Sequence, residues 1–127
     1  MINIRGPGNT VNKNKAKKLL PNGNITLHSA LRFASRGQRT HNYSVYNKGN
    51  FVGFALLTPN NNILNLNLIA TKPKSGYGKI LMNRIKLNTR KMGFKHINLY
   101  AVNNAVPFYE KQKFRQVSLN KKFRYNV

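Results

Sequence analysis

A strand, a glycine loop and a helix follow one another between Ile63 and Met92, ILNLNLIATKPKSGYGKILMNRIKLNTRKM, and this succession restricts the fold more than any other part of the chain. Ile63, Leu64, Leu66, Leu68 and Ile69 nearly alternate with Asn65 and Asn67, the two-residue period of a strand, behind the turn formers Pro59-Asn60-Asn61-Asn62. After the loop Thr71 to Gly78, the residues Ile80, Leu81, Met82, Ile85 and Met92 fall on one side of a helix. Lys79, Asn83, Lys86 and Arg90 fall on the other, and Gly93 stops it. Two glycines let the backbone bend tightly and keep side chains out of a ligand's way, while the helix start offers unpaired N–H groups and a partial positive charge. With Lys72, Lys74 and Lys79 beside it, the loop is a candidate phosphate cradle; a plain tight turn is the other reading of a lone GxG. A dinucleotide fingerprint is excluded, because Leu81 stands where a third glycine belongs and His96, Ile97 and Asn98 where an acid is needed. Pro73 and Ile80 exclude a nucleoside triphosphate P-loop in the same way.

Charge narrows the chemistry. The 127 residues, enough for one domain, carry 23 Lys and Arg against a single acid, Glu110, a formal net charge of +22. Such a chain attracts polyanions. Paired-carboxylate hydrolysis, Mg²⁺-dependent phosphoryl transfer and a Ser-His-Asp triad need acids that are absent. There is no cysteine, so thiolate nucleophiles and zinc-thiolate sites are excluded, and His28, His41 and His96 are too scattered to suggest a metal site. No apolar run approaches the 18 residues of a membrane span and no signal-peptide core is visible, so an intracellular location, or packaging in a particle, is expected.

Residues 1–24 read as a basic flexible arm, with turn formers at Gly6-Pro7-Gly8-Asn9 and Pro21-Asn22-Gly23-Asn24, and residues 25–127 as one domain. Ile25 to Arg36 predicts a short helix, with Thr26 as its cap. Tyr43-Val45-Tyr46 and Phe51 to Leu57 predict a hairpin about Asn47-Lys48-Gly49-Asn50. Ile97 to Ala101 predicts a strand parallel to the one at Ile63, Asn104 a cap for a helix burying Ala105, Phe108 and Tyr109, and Phe114–Leu119 with Phe123–Tyr125 the closing strands.

In this order of elements, two motifs resemble the GNAT superfamily of N-acetyltransferases. Ser75-Gly76-Tyr77-Gly78-Lys79-Ile80-Leu81-Met82 is similar to that family's acetyl-CoA pyrophosphate loop, and Leu99-Tyr100-Ala101 with Ala105 to Lys111 and Phe114 to its late strand and helix. The resemblance covers about Tyr43 to Val117. It implies a mixed-sheet α/β (α+β) fold, the GNAT-like acyl-CoA N-acyltransferase fold with a truncated N-terminal part. It also implies acetyl transfer from acetyl-CoA to an amine, without a metal. The backbone of Leu68, Ile69 and Ala70 would pair with the pantetheine arm. N–H groups of Ser75, Gly76, Tyr77, Gly78 and Lys79 would hold the pyrophosphate with Lys72 and Lys74 nearby, and Tyr109 would protonate the leaving thiolate. Pro73 and Lys113 depart from the family's usual Gln or Arg and Gly. No general base is evident: Glu110 points away from Tyr109 on a helix, which leaves His96 or water.

Two functions follow. The first is N-acetylation of an unknown amine. The alternative is a non-catalytic protein of the same fold, basic and structural, binding nucleic acid or another polyanion, for example as a virion component.

Overall fold

A computed structural model describes residues 2–8, 11–20, 40–73, 75–101 and 105–127. The elements run β1 (Ile2–Gly8), α1 (Lys13–Leu19), β2 (Asn42–Asn47), β3 (Asn50–Asn60), β4 (Ile63–Thr71), α2 (Tyr77–Lys91), β5 (His96–Tyr100), α3 (Val106–Lys111), β6 (Arg115–Gln116) and β7 (Lys122–Asn126). The strands form one sheet in the order β1-β2-β3-β4-β5-β7-β6, with β4 and β5 parallel and every other pair antiparallel. This mixed α/β sheet is the expected architecture, including the parallel crossover through α2.

Alternation along the strands decides what lies on each face. Tyr43, Val45, Ala55, Leu57, Leu64, Leu66, Ile97, Leu99 and Phe123 are buried with Leu81, Met82 and Ile85 of α2 and Tyr109 of α3. On the opposite face Phe54 and Leu56 pack on Ala16 of α1. The sheet is therefore covered by α2 and α3 on one side and, over its β3 portion, by α1 on the other. Among the described residues no helix is long and apolar enough to cross a membrane.

Several expectations need correction or fall outside the description. Residues 2–8 and 13–19 of the expected arm are instead an edge strand and a short helix. Ile4 sits opposite Val45 and packs on the main core, and Ala16 is fully buried with Asn12 capping α1, its Oδ1 accepting from the Lys15 amide at 3.1 Å. Gly6, taken for a turn former, is needed by the strand itself: at φ 133 a Cβ there would lie 2.5 Å from the Asn42 carbonyl oxygen. Pro59 belongs to β3, and the turn tightens to Asn61-Asn62 with Asn61 at φ 55. Ile80 and Met92 are 38% and 39% exposed, so α2 buries Leu81, Met82, Ile85 and Thr89 instead. The helix expected at residues 25–36 and the Asn104 cap lie outside the described residues.

Ile85 is wholly buried at the centre of the α2 contact, whereas Leu87, two residues on, is 48% exposed. Ile85→Ala is expected to lower the unfolding free energy by about 2–5 kcal/mol through lost transfer energy and a residual cavity. Leu87→Ala should stay within about 0.5 kcal/mol of the parent in the same denaturant titration.

Candidate functional site

β4 and β5 pair only over Ile63↔His96, Leu64↔Ile97 and Asn65↔Asn98, while β3 stays paired along the other edge of β4 as far as Thr71. The cause is visible in the β3–β4 register. Leu56 faces Leu68 and Leu57 faces Leu66, so Asn67 is an extra residue, a bulge that bends β4 immediately beyond its last pair with β5. β5 meanwhile follows β7, through Leu99↔Phe123 and Tyr100↔Lys122. From Leu66 to Thr71 the edge of β4 that faced β5 is left with no main-chain partner among the described residues. Unpaired strand edges call for a partner, which makes this one a place for an extended ligand with its own amide groups.

Beside that edge lies a cavity of about 170 Å³, lined by Ile69, Ala70 and Thr71 of β4, Gly78 of α2, and Ala105, Phe108 and Tyr109 in and next to α3. Of the residues expected to meet pantetheine, Ile69 and Ala70 line it directly. Leu68, turned by the bulge, packs toward the α1 side. Thr71, Ala105 and Phe108 also line the cavity, although the sequence marks Ala105 and Phe108 only as buried helix positions and Thr71 only as the start of the loop.

The glycine loop closes one end of the cavity. Gly76 is the N-cap of α2 at φ 76, a left-handed conformation that favours glycine, and no side chain caps the helix. Ser75 Oγ donates to the Lys72 carbonyl at 2.5 Å and accepts a long bond, 3.4 Å, from the Tyr77 amide, which fixes the loop while leaving the Gly78 and Lys79 amides uncapped. A Cβ on Gly78 would sit 3.2 Å from Phe108 Cε1 and 3.6 Å from Thr71 Oγ1, so only glycine lets the helix start approach α3 without displacing that ring. Lys72 and Lys79 are exposed at this end; Lys74 lies outside the described residues. The Tyr77 ring is engaged elsewhere: its hydroxyl accepts from Asn47 Nδ2 at 2.7 Å and the ring packs on the core, so only its main chain serves the loop.

Tyr109 is buried between the edges of Phe108 and Phe114, with ring centroids 5.4 and 5.7 Å away. Its hydroxyl has no hydrogen-bond partner among the described residues, and burial alone pushes its pKa up to about 12. The turn that presents it survives the absence of a glycine: Lys113 takes φ 72, and the Phe114 amide donates back to the Tyr109 carbonyl at 3.0 Å. An L-residue there costs about 1–2 kcal/mol. His96, considered as a base, pairs with Ile63 at the closed end of the two strands, about 13 Å along β5 from Tyr100, with Nδ1 against Asn126 Oδ1. That position removes it from the cavity. Glu110 is exposed, on the outer side of α3. No group of three His, Cys, Asp or Glu side chains comes together among the described residues.

A second, larger cavity of about 450 Å³ opens on the opposite face where the strands part, between Asn65–Asn67 and Asn98–Tyr100. The sequence showed these asparagines only as the outward half of a strand.

Because the Tyr109 phenol ionises near pH 10 in the unfolded chain and near 12 in the fold, the folded state binds more protons between those values. Stability from this group is complete below pH 10 and is lost as pH rises through 12, about 3 kcal/mol in all. Unfolding measured from pH 9 to 12 should therefore fall more steeply for the parent than for Tyr109→Phe.

The acetyltransferase (GNAT) domain model matches residues 16–125. No curated protein sequence matches the chain. Solved structures share its fold at low identity. A Bacillus subtilis acetyltransferase in complex with CoA is 16% identical at TM-score 0.75, covering 100% of this chain and 99% of that one. A GNAT family acetyltransferase from Elizabethkingia anophelis with acetyl-CoA bound is 13% identical at TM-score 0.76, covering 99% and 98%. The ribosomal-protein-S18-alanine N-acetyltransferase of Escherichia coli is 18% identical at TM-score 0.71, covering 98% and 90%. With its strands parting beside a glycine-started helix, and with all but its two ends inside the matched span, the chain belongs to the acetyltransferase (GNAT) domain family.

Proposed function

We propose that the chain binds acetyl-CoA along the open edge of β4 and transfers its acetyl group to an amine. The observation that carries this reading is the loss of β4–β5 pairing after Asn65↔Asn98, next to a cavity that ends in an uncapped glycine loop. The residues fit the cofactor. The main chain of Leu68, Ile69 and Ala70 offers amide groups to a pantetheine arm. Amides from Ser75 to Lys79, the Lys72 and Lys79 cations and the start of α2 suit a diphosphate, and the cavity lining carries no acid that would repel it.

When bound, acetyl-CoA supplies a thioester carbonyl for an amine nitrogen to attack, with the CoA thiol departing. Tyr109, which lines the same cavity, is the residue assigned to that sulfur in this reading. Burial pushes its pKa up to about 12, so Tyr109 is protonated throughout the neutral range and can donate a hydrogen bond to charge developing on sulfur.

A second reading rests on charge. Arg5, Lys13, Lys15, Lys17 and Lys18 are all exposed on β1 and α1 and form a basic edge suited to nucleic acid or another polyanion. The two readings separate in one calorimetric experiment. Acetyl-CoA is expected to bind at least tenfold more tightly than pyrophosphate. Tyr109→Phe should keep that affinity within about threefold while lowering turnover about a hundredfold. Acetyl-CoA binding no tighter than pyrophosphate or heparin would overturn the transferase reading.

A further inference from the structure

The cavity on the far face of the sheet has an unusual wall for a pocket meant to receive amines. Strand register aligns Thr58 of β3, Asn65 of β4, Asn98 of β5 and Arg124 of β7 in one continuous row, because Thr58↔Asn65, Asn65↔Asn98 and Asn98↔Arg124 are successive partners. Residues opposite one another in a sheet share a face. Two positions further along β5, Tyr100 faces Lys122, whose Nζ stands 5.9 Å from the ring. The lining includes Thr58, Asn65, Asn67, Asn98, Tyr100 and Lys122, and no carboxylate.

Hydrogen bonding within the row turns its donors toward the cavity. Arg124 Nε donates to Asn98 Oδ1 at 2.9 Å, so the carbonyl of this buried amide is engaged and its NH₂ has no partner among the described residues. Asn67 Nδ2 donates to Thr58 Oγ1 at 3.1 Å, and the Thr58 hydroxyl proton has no acceptor among the described residues. With Lys122, the cavity presents an amide NH₂, a hydroxyl and an ammonium, a set that matches an oxyanion.

We infer that this cavity selects an acceptor amine that also carries an anionic group, a carboxylate or a phosphate, held by Lys122, Asn98 and Thr58. The inference rests on the transferase reading for the identity of the first substrate. The cavity meets β4 at Asn65–Asn67, where its pairing with β5 ends, and the cofactor cleft meets the unpaired stretch at Ile69–Thr71, so the two flank the gap across which an amine would approach a thioester. A polyamine would meet cations with no counter-charge in the lining. The same surroundings supply what a missing base would: positive charge nearby lowers the pKa of the acceptor's ammonium, so more of it is the neutral nucleophile, its proton passing to water. The nitrogen then forms the new C–N bond as the C–S bond breaks, and the nitrogen's surplus proton passes, directly or through water, to the departing thiolate, leaving the amide and the CoA thiol.

Four amines test this, β-alanine, 2-aminoethyl phosphate and ethanolamine on a two-carbon chain and the diamine putrescine on a four-carbon one, each titrated calorimetrically into protein saturated with CoA and each assayed for CoA release from acetyl-CoA. The chain has no cysteine, so a thiol reagent reads product alone. The two anionic amines are expected to bind at least tenfold more tightly than ethanolamine, with putrescine weakest; whichever of the two is tighter identifies the anion as carboxylate or phosphate. Lys122→Gln should remove about tenfold of the anionic preference and leave CoA affinity unchanged. A diffuse attraction to a +22 protein would lose almost nothing with one charge of 23. Equal binding of all four amines, binding of none, a preference for putrescine, or an anionic preference untouched by Lys122→Gln each overturns the inference. If CoA fails to bind, the transferase reading is what fails. The same order of amines is still expected on the free protein, since strands alone form this cavity.

Discussion

One missing set of hydrogen bonds organises this molecule. The sheet could have continued to pair β4 with β5 up to Thr71, and instead it stops after three residue pairs. A single inserted residue, Asn67, bends β4 away, and β5 is held by its full length of pairing to β7. The cofactor and acceptor sites proposed above both border the gap that results. The glycine loop and Tyr109 lie toward one end of the free edge, and the polar row from Thr58 to Arg124 crosses the point where the strands part. Leaving strand amides unpaired beside a cavity is unfavourable unless a ligand or solvent meets them, which is why the gap, more than any single side chain, marks the working part of the fold.

The near absence of acids shapes how the cations are accommodated. With Glu110 as the only acidic side chain, ion pairs cannot hold the basic residues in place, and rings and carbonyls take over. Arg5 and Lys15 both stand over the Tyr46 ring, at 4.5 and 5.6 Å, and join β1 and α1 to β2. Lys86 of α2 donates to the Gln112 carbonyl at the end of α3 and lies 4.2 Å from the Tyr125 ring centroid, tying the two helices to β7. Its pKa is lowered, first by burial and then by the nearby Lys113 charge. Such contacts tolerate a large net charge because none of them depends on a carboxylate, and they leave Lys72 and Lys79 exposed for an anionic ligand.

Much of this was legible in the sequence. Alternation predicted β4, the apolar stripe predicted α2, and the short αβ connection after Gly93 predicted a parallel β5. In the fold Gly78 of the glycine loop and Tyr109 line one cavity, a proximity that the order of motifs does not by itself specify. The bulge was not recognised, although its trace is present: Leu64, Leu66 and Leu68 keep one frame while Ile69 breaks it, and in the fold Leu66 and Leu68 lie on opposite faces. The N-terminal strand was concealed because Gly6-Pro7-Gly8 reads as a turn, whereas Gly6 is demanded by close approach to Asn42. The polar row escaped because it exists only across strands. Thr58, Asn65, Asn98 and Arg124 are far apart in sequence, and each alone is an ordinary outward residue.

Amide hydrogen exchange along β4 tests the account most directly. In the free protein, the amides between Leu66 and Thr71 that face away from β3 should exchange rapidly, while their neighbours bonded to β3 are protected. Saturating acetyl-CoA should slow those same amides by at least tenfold, with smaller effects at Gly78 and Lys79. If the edge is already protected without ligand, or if its exchange is unchanged when acetyl-CoA saturates the protein, the open strand is not where the cofactor binds and the account is contradicted.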